Sequence, residues 1–441
     1  MTPVNTDDVQ DTSKKMQYFW VVVLLLISFS AILKLPTFNL PHNEGDEVRF
    51  WYLTKNWIET GHYTLQGSPL LKVPAYLGTN RKMPVHPPLF PTLLRPFAQH
   101  NALNKAVMAS WIGHFLAILA VALMGRYLFL YYGLTLSALS PLFWLPLLGI
   151  ATDPIMTWIS GILWIDNLHA GLAALSIALA MMANQASRPK LMYFFSGVIL
   201  GLALLSKVTP AMIIPLLFYI IVVGETDNKK RIQALLLGAI PALLLASLWY
   251  VPLYFTMGEL IFPKTPVEIQ AMLDNLSPQA LQAFEQAVYC GFCQMAINSP
   301  WYYQWPKLSL ISPLFLVGIS FSFLFYILYI RTLEVVKRGH FLIPLFWCLG
   351  VLSILTYLQL MIMRRTTLLI ASLYVMFYML IVFSEKYQPL KKYQPLLLLL
   401  GAVSIVYSAI GGGYYLFKGN YAEIFSMPEL AGFIKLWGAE Q

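Results

Sequence analysis

The chain has 441 residues, a length that in a soluble protein would suggest two or three domains. Hydrophobic residues make up 58% of it and charged residues 11%, against about 45–50% and about 25% in soluble chains. This excludes a soluble fold, because so few charges cannot cover the surface of a globular protein of this size. The 29 Lys and Arg residues outnumber the 20 Asp and Glu residues, but they lie in small groups beside apolar runs, which argues against nucleic acid as a partner. With only three Cys residues, a disulfide-framework fold is excluded too.

Apolar runs long enough to cross a bilayer recur along the whole chain. A helix needs about 20 mostly apolar residues to cross about 30 Å of hydrocarbon. On that basis the sequence predicts an all-α polytopic membrane protein of about eleven transmembrane helices. The first is interpreted as an uncleaved anchor, because no small-residue cleavage site follows it. The predicted spans are 18–35, 106–125, 133–150, 167–184, 191–206, 208–224, 232–255, 308–330, 341–361, 366–383 and 395–417.

Basic clusters in the short loops predict the orientation of these spans. Lys and Arg are enriched in short cytoplasmic loops of membrane proteins. If the N-terminal segment 1–17, with Lys14 and Lys15, is cytoplasmic, every compact basic cluster in a short loop falls on the same side. These clusters are Arg126, Arg188/Lys190, Lys229–Arg231, Arg331/Lys337/Arg338 and Lys386/Lys391/Lys392.

The opposite side receives two long loops and most of the acidic residues. These outer loops are 36–105 and 256–307, and the transmembrane domain that carries them extends over 18–417. The last segment, 418–441, places apolar residues on one helical face and is predicted to be an extracytoplasmic amphipathic helix. The acids on the outer side indicate that the chemistry takes place there.

The first outer loop carries the most specific pattern of the chain. Residues 42–47 read His-Asn-Glu-Gly-Asp-Glu, an aromatic helical stretch follows as far as Gly61, and residues 86–90 read His-Pro-Pro-Leu-Phe. Gly61 is placed to end the helix. Asp46 and Glu47 lie at its N-terminal end, where the helix dipole favours anionic carboxylates, and such a carboxylate can act as a general base. The alternative is that they only cap the helix.

These motifs resemble the first outer loop of GT-C-type integral-membrane glycosyltransferases, above all the protein O-mannosyltransferases and the bacterial lipid A aminoarabinose transferases. Further stretches resemble the family in the same order: residues 201–207 (Gly-Leu-Ala-Leu-Leu-Ser-Lys), 248–250 (Leu-Trp-Tyr) and 300–303 (Pro-Trp-Tyr-Tyr), then Arg364 at a late span. The resemblance covers about residues 40–385. It implies a GT-C-like catalytic bundle with interfacial helices in the first outer loop.

The resemblance also implies an activity and its partners. In this family the Asp of the first loop is the catalytic carboxylate, which here matches Asp46, and Glu47 matches its neighbour. Such enzymes transfer a sugar, usually with inversion, from a polyprenyl-phosphate donor to an acceptor outside the cytoplasm. The implied partners are that donor, membrane lipids, and an acceptor protein, lipid A or glycan, with no nucleic acid. The expected location is a bacterial inner membrane, with the active site facing the periplasm.

A donor with a phosphate group needs cations at the membrane boundary. His86 stands where the aminoarabinose transferases have Lys and the O-mannosyltransferases have His. Because a His is only partly charged at neutral pH, the Lys and Arg candidates are expected to bind phosphate more strongly. Each candidate also has an alternative role that does not involve the donor. His86 would be an ordinary loop residue, Lys207 a snorkelling side chain at the end of a span, and Arg364 and Arg365 anchors at the edge of the bilayer. The candidates for binding phosphate or substrate are His86, Lys207, Arg364, Arg365 and Tyr302.

The family carries a second acidic residue, for which this chain offers two candidates. Asp153 lies in the sequence Ala-Thr-Asp-Pro, and Asp166 directly precedes a predicted span, 41 residues before Lys207. Sequence reasoning favours Asp166 and keeps Asp153 as its rival. Either could instead be the N-cap of a span. No obligatory cofactor is expected, no metal ligand set is predicted, and use of a divalent metal stays open.

Cys290 and Cys293 form a CxxC motif in the second long outer loop. No other ligands follow at the spacing of a zinc site, and nothing around the motif resembles a thioredoxin-like fold. In an oxidising compartment the pair is predicted to form a local disulfide. Cys348, within a predicted span, is interpreted as a packing residue.

Two other functions are compatible with the spans. A multi-pass lipid or solute transporter without transferase activity would explain many spans, but it is expected to carry polar residues deep within them or paired broken helices. A binding or scaffold protein built on the same fold is the other alternative. The charges of this chain lie mainly at the ends of spans, which favours the transferase.

Overall fold

A computed structural model describes residues 6–39, 45–65, 86–134, 139–257, 335–357, 366–386 and 391–418. Every regular element within these ranges is a helix. The predicted span 308–330, the outer loop from 258 onwards, the Cys290–Cys293 motif, Tyr302, Arg364, Arg365 and the C-terminal segment from 419 lie outside them. The α-helices are α1 (Thr6–Lys34), α2 (Gly45–Thr60), α3 (Leu89–Gln99), α4 (Leu103–Ala106), α5 (Met108–Tyr131), α6 (Pro141–Ala151), α7 (Pro154–Ser160), α8 (Asp166–Ala183), α9 (Pro189–Leu204), α10 (Ile214–Gly224), α11 (Asn228–Met257), α12 (Val335–Tyr357), α13 (Thr367–Lys386) and α14 (Gln394–Lys418). Two 3-10 helices, Leu35–Asn39 and Thr209–Ile213, extend α1 and precede α10.

Several helices are long and apolar enough to cross a membrane. Five meet this description within the described residues, or six if α6 and α7 form one span. This confirms the all-α polytopic membrane fold, and the protein is a multi-pass integral membrane protein. The long apolar segments are Tyr18–Asn39, Leu103–Tyr131, Asp166–Ala183, Asn228–Thr256 and Thr367–Lys386, and shorter ones are Pro189–Leu204, Thr209–Gly224, Gly339–Leu355 and Gln394–Tyr407.

The third predicted span, 133–150, has different bounds in the structure. The helix begins only at Pro141, and a second helix follows from Pro154 after a bend of 42°. The bend arises because a proline disfavours helical geometry in the residue before it and is itself suited to the first turn of a new helix. Asp153 has a non-helical backbone (φ −55°, ψ 126°) and precedes α7 as its N-cap. Asp153 therefore lies within a broken helix, where the sequence had placed a loop.

The centre of the bundle is the close contact between α5 and α8. A methyl group added to Gly113 would overlap the backbone of Asn167, and one added to Gly171 would overlap the backbone of Gly113. Small residues allow helix backbones to approach closely where lipid supplies little hydrophobic driving force. The turn before α8 is also bound to α5, since Ser110 Oγ donates to the carbonyl oxygen of Ile162 at 2.8 Å. These contacts fix the position of the first turn of α8.

Polar side chains gather at both ends of the bundle. At one end lie α2, α3 and the first residues of α8 and α13, and this end is called here the α2 end. At the opposite end Tyr193 donates to Asn184 Oδ1 at 2.9 Å, and Asn184 Nδ2 is 3.1 Å from His340 Nε2. The charge pattern of the loops predicts that the α2 end faces away from the cytoplasm.

Candidate functional site

Helix α2 carries the predicted acidic pair in its first turn. Asp46 is its second residue, and the helix ends at Thr60 as the sequence predicts. Gly61 adopts a φ of +75°, and its N–H donates to the carbonyl oxygen of Trp57 at 3.1 Å. A glycine suits this left-handed position because it has no Cβ. The predicted helix, its acidic start and its glycine end are thus all present.

Glu47 ties α2 to the turn that precedes α8. Its side chain is 2% exposed, and its Oε1 accepts a hydrogen bond of 2.8 Å from the backbone N–H of Leu163. Phe50, Trp51 and Thr54 follow on the same buried face at helical spacing. A buried carboxylate is stabilised by such an amide donor, and the bond has a geometric result as well. It holds the first turn of α2 against a segment that ends three residues before Asp166.

Asp166 and Lys207 form a buried ion pair at the start of α8. Lys207 Nζ is 2.6 Å from Asp166 Oδ1, and the two side chains are 12% and 1% exposed. Lys207 lies just after the end of α9, and the carbonyl oxygen of Asp166 also accepts a hydrogen bond of 3.4 Å from Thr367. An ammonium group has three N–H donors, so Lys207 can bind Asp166 and still donate to an anion.

His86 is half-buried beside the same region. Its carbonyl oxygen accepts a hydrogen bond of 3.0 Å from the hydroxyl of Tyr63, and its ring lies 5.4 Å from the ring of Phe50. Burial raises the pKa of Tyr63 well above its usual range, so this hydroxyl stays protonated and donates. Three residues on, the N–H of Leu89 donates to the carbonyl oxygen of Leu205 at 3.3 Å. The His86 segment is therefore bound to the end of α9, two residues before Lys207.

Asp153 has the contacts of a helix cap. Its Oδ1 accepts from the N–H groups of Ile155 and Met156, both at 3.0 Å, and its Oδ2 accepts from the hydroxyl of Tyr374 at 2.9 Å. Tyr374 is seven residues after Thr367, which places it about 10 Å further along α13 at a rise of about 1.5 Å per residue. Of the two rival acids, Asp166 is the one that lies beside Lys207.

An apolar groove lies between α10, its preceding 3-10 helix and α12. Its volume is about 420 Å³. It begins at Met212, five residues after Lys207, and continues towards the middle of the bundle as far as Tyr219 and Phe346. Its dimensions and lining suit an alkyl or prenyl chain rather than a polar ligand. Ile213, Leu216 and Val351 are among the other apolar side chains that line it.

Solved membrane transferases have a similar arrangement of helices. ArnT from Cupriavidus metallidurans, bound to undecaprenyl phosphate, matches 91% of this chain and 76% of its own length, with a TM-score of 0.52 and 13% identity. Archaeal oligosaccharyltransferase AglB from Archaeoglobus fulgidus, in complex with an inhibitory peptide and a dolichol-phosphate, matches 92% of this chain with a TM-score of 0.53 and 14% identity. The chain has a GT-C fold.

The GT-C fold is what these matches establish. A second structure of the Archaeoglobus oligosaccharyltransferase, a complex with Zn and sulfate, matches 89% of the chain with a TM-score of 0.52 and 14% identity. The chain spans 56% and 53% of the length of the two oligosaccharyltransferase chains. No protein-family model and no curated protein matches the sequence.

One buried histidine in this region was not among the site residues predicted from the sequence. His169 lies one turn after Asp166 on α8, is fully buried, and lies within electrostatic range of Lys207, Asp166 and His86. Its spacing from Asp166 in sequence was the available signal, because residues three apart share a helical face. That signal is weak in an apolar helix, where a lone histidine is more often a packing residue.

The described part of the chain holds no cluster of three or more His, Cys, Asp or Glu side chains suited to a metal ion. Of the predicted phosphate-binding residues, the structure places Lys207 and His86 at the α2 end. Arg364, Arg365 and Tyr302 stay predictions, because they lie outside the described residues. The same holds for a disulfide between Cys290 and Cys293.

Proposed function

We propose that the chain is a glycosyltransferase that moves a sugar from a polyprenyl-phosphate donor to an acceptor at the outer side of the membrane. The observation that carries this proposal is the hydrogen bond between Glu47 and the N–H of Leu163. It holds the acidic turn of α2 beside the Asp166–Lys207 pair, so one neighbourhood offers both a carboxylate for proton transfer and a cation for phosphate.

The lipid part of the proposed donor is supported by the fold and by the groove. Two solved neighbours are bound to undecaprenyl phosphate and dolichol-phosphate, which are both polyprenyl-type phosphates. In this chain the apolar groove between α10 and α12 begins five residues after Lys207. A phosphate at Lys207 would leave the tail of the lipid free to enter the groove, where apolar side chains replace water.

The proposed reaction is a single displacement at the anomeric carbon of the sugar. Asp46 accepts the proton of the acceptor hydroxyl, the acceptor oxygen forms a bond to the anomeric carbon, and the bond between that carbon and the phosphate oxygen breaks. The electron pair leaves with the polyprenyl phosphate. Because attack and departure take place on opposite faces of the sugar, the configuration inverts. Glu47 positions this turn of α2 through its bond to Leu163.

The charge that develops on the leaving phosphate has to be stabilised by cations already in place. Lys207 is the proposed primary partner, and its bond to Asp166 holds its ammonium group in position. His86 is the second proposed partner, with Arg364, Arg365 and Tyr302 as further predicted ones. The acceptor is proposed to be a protein, lipid A or another glycan, and the location a bacterial inner membrane with the site facing the periplasm.

The test is an assay of donor consumption with purified protein. Undecaprenyl-phosphate mannose, glucose, galactose and arabinose are each incubated with the protein and an extract of periplasmic-side acceptors, and the release of undecaprenyl phosphate is followed. Release that requires both protein and acceptor supports the transferase. Movement of a sugar lipid across sealed vesicles without any release would instead support the transporter, and no release with any donor would contradict the proposal.

A further inference from the structure

Three buried polar atoms near the Asp166–Lys207 pair have no hydrogen-bond partner within the described part of the protein. They are His169 Nε2, Thr209 Oγ1 and Trp249 Nε1. Buried polar atoms in folded proteins are nearly always paired, so unpaired ones need an explanation. A cluster of them beside an ion pair is typical of a site that binds a polar ligand, because the ligand then supplies the missing partners.

These atoms come from separate elements that meet at the α2 end. His169 lies on α8 one turn from Asp166, and Thr209 follows Lys207 by two residues in the 3-10 helix. Trp249 on α11 packs its ring 5.4 Å from that of Tyr63, whose hydroxyl donates to the carbonyl oxygen of His86. Elements far apart in sequence thus each contribute an unpaired polar atom close to the residues that the proposed function assigns to the donor.

The hydrogen bonding of His169 determines what its free nitrogen can bind. Nδ1 lies 3.2 Å from the carbonyl oxygen of Ile165, which can only accept, so Nδ1 carries the proton of the ring. A fully buried imidazole is neutral, because burying a charge without a counter-charge in contact is costly. Nε2 therefore presents a lone pair, and only a hydrogen-bond donor can pair with it.

Only one part of a polyprenyl-phosphate sugar can supply that donor. The prenyl chain has no polar hydrogen, and an ionised phosphate only accepts hydrogen bonds. The hydroxyl groups of the sugar do donate. We infer that His169 is a specificity-determining residue, whose Nε2 accepts a hydrogen bond from a hydroxyl group of the sugar carried by the donor lipid.

This inference rests on the proposed function, and it predicts a selectivity that a buried structural histidine would not produce. A site built to bind a hydroxyl rejects an analogue that lacks it, because the buried acceptor is then left unpaired. We expect the protein to bind its preferred undecaprenyl-phosphate sugar roughly 5- to 100-fold more tightly than the monodeoxy analogue that lacks this hydroxyl. Bare undecaprenyl phosphate has no sugar hydroxyl to donate to Nε2, so its affinity should not depend on His169.

The experiment measures binding to the purified full chain by native mass spectrometry. The ligands are the four undecaprenyl-phosphate sugars named above, monodeoxy analogues of the best binder, and bare undecaprenyl phosphate. The variants are His169→Phe, which fills the space without an acceptor, and His169→Gln, whose amide oxygen can replace Nε2. His114→Phe is the matched control, because His114 is also fully buried with one unpaired ring nitrogen but lies on α5, where its other nitrogen contacts the carbonyl oxygen of Ile150.

We expect His169→Phe to lose the preference for one hydroxyl while binding bare undecaprenyl phosphate as before, and His169→Gln to retain part of that preference. His114→Phe keeps the wild-type preference. Full discrimination in His169→Phe, or none in the wild type, overturns the inference. Sugar binding that depends on His169 without transfer in the donor assay would contradict the proposed function alone. If His169→Phe does not fold, His169→Gln is compared with the wild type. A weaker preference for the hydroxyl in His169→Gln supports the inference, and an unchanged preference overturns it.

Discussion

The ammonium group of Lys207 lies 2.6 Å from a carboxylate oxygen of Asp166, although 41 residues separate the two in sequence. The pair connects the end of α9 to the first residue of α8. Both side chains are largely buried, so each charge depends on the other for compensation. Substitutions of the pair therefore test both the stability of the α2 end and the binding of phosphate.

Breaking the pair from one side should destabilise the protein more than removing both charges. Lys207→Met leaves the Asp166 carboxylate buried without its cation, which we expect to cost about 3 kcal/mol of stability. The double variant Lys207→Met/Asp166→Asn should recover part of that loss, since no unpaired charge remains. Thermal unfolding of the single and double variants in the same detergent measures this coupling.

The matched control for this comparison is the ion pair between Lys391 and Glu385 at the opposite end of the bundle. Its atoms are 3.6 Å apart and the Lys391 side chain is 52% exposed. Exposed ion pairs contribute about 0–1 kcal/mol, so Lys391→Met should barely change the unfolding temperature. If the double variant loses as much stability as Lys207→Met and Asp166→Asn lose in sum, the two charges do not depend on each other.

Asp46→Asn should abolish transfer without unfolding the protein. An amide at the second residue of α2 cannot accept the proton of the acceptor, and loss of a general base costs about 10²- to 10⁴-fold in rate. The measurement is the rate of undecaprenyl phosphate release from the best donor. Asp227→Asn, an exposed carboxylate at the other end of the bundle, is the control and should leave the rate unchanged. A normal rate in Asp46→Asn would remove Asp46 from the proposed mechanism.

Glu47 should act through the position of α2 rather than through its own charge. Glu47→Gln keeps an oxygen that can accept from the N–H of Leu163, whereas Glu47→Ala leaves that buried donor unpaired. We therefore expect a modest loss of kcat/KM in the Gln variant, about fivefold, and a loss at least tenfold larger in the Ala variant. Equal and complete loss in both variants would instead indicate that the charge of Glu47 takes part in the reaction.

Local sequence signals predicted the first outer helix well. The start of α2 at the Gly-Asp-Glu motif and its end before Gly61 follow from capping and from the left-handed conformation that glycine favours. The membrane class follows from composition for an equally direct reason, since lipid is the only solvent that such a chain can face. The ends of α2 depend on interactions within a few residues of sequence. The membrane class depends only on the overall apolar content.

Contacts between distant residues could not be predicted in this way. The 41-residue spacing between Asp166 and Lys207 favours Asp166 as a site residue but does not predict their ion pair, and the donor to Glu47 is the backbone of Leu163, 116 residues away. The short helix that begins at Pro154 was not predicted, because the predicted span ends at residue 150 and the residues after it were interpreted as a loop. His169 was missed because its burial close to Lys207 and His86 becomes evident only when α8, α9 and the His86 segment are packed together.

Asp153 and Asp166 should respond differently to the same substitution. In Asp153→Asn the new amide oxygen can still accept from the N–H groups of α7, and Asn is as good an N-cap as Asp, so transfer should continue and stability should fall little. Asp166→Asn removes the counter-charge of Lys207 and should lower kcat/KM at least tenfold. Tyr374→Phe, which removes only the donor to Asp153, should lower stability by about 1–3 kcal/mol without changing the preference among donor sugars. If Asp153→Asn abolishes transfer while Asp166→Asn retains it, the assignments have to be exchanged.

The last prediction concerns which end of the bundle faces the periplasm. His100, just after α3, is exposed at the α2 end, and Thr226, between α10 and α11, is exposed at the opposite end. The basic cluster that begins at Lys229 predicts that the Thr226 loop is cytoplasmic. In a background where the three native cysteines are replaced, His100→Cys should react with a membrane-impermeant maleimide in intact cells with a permeabilised outer membrane. Thr226→Cys should react only after the inner membrane is disrupted. The reverse pattern would place Asp46 and Lys207 in the cytoplasm, and a donor presented on the periplasmic side could then not reach them.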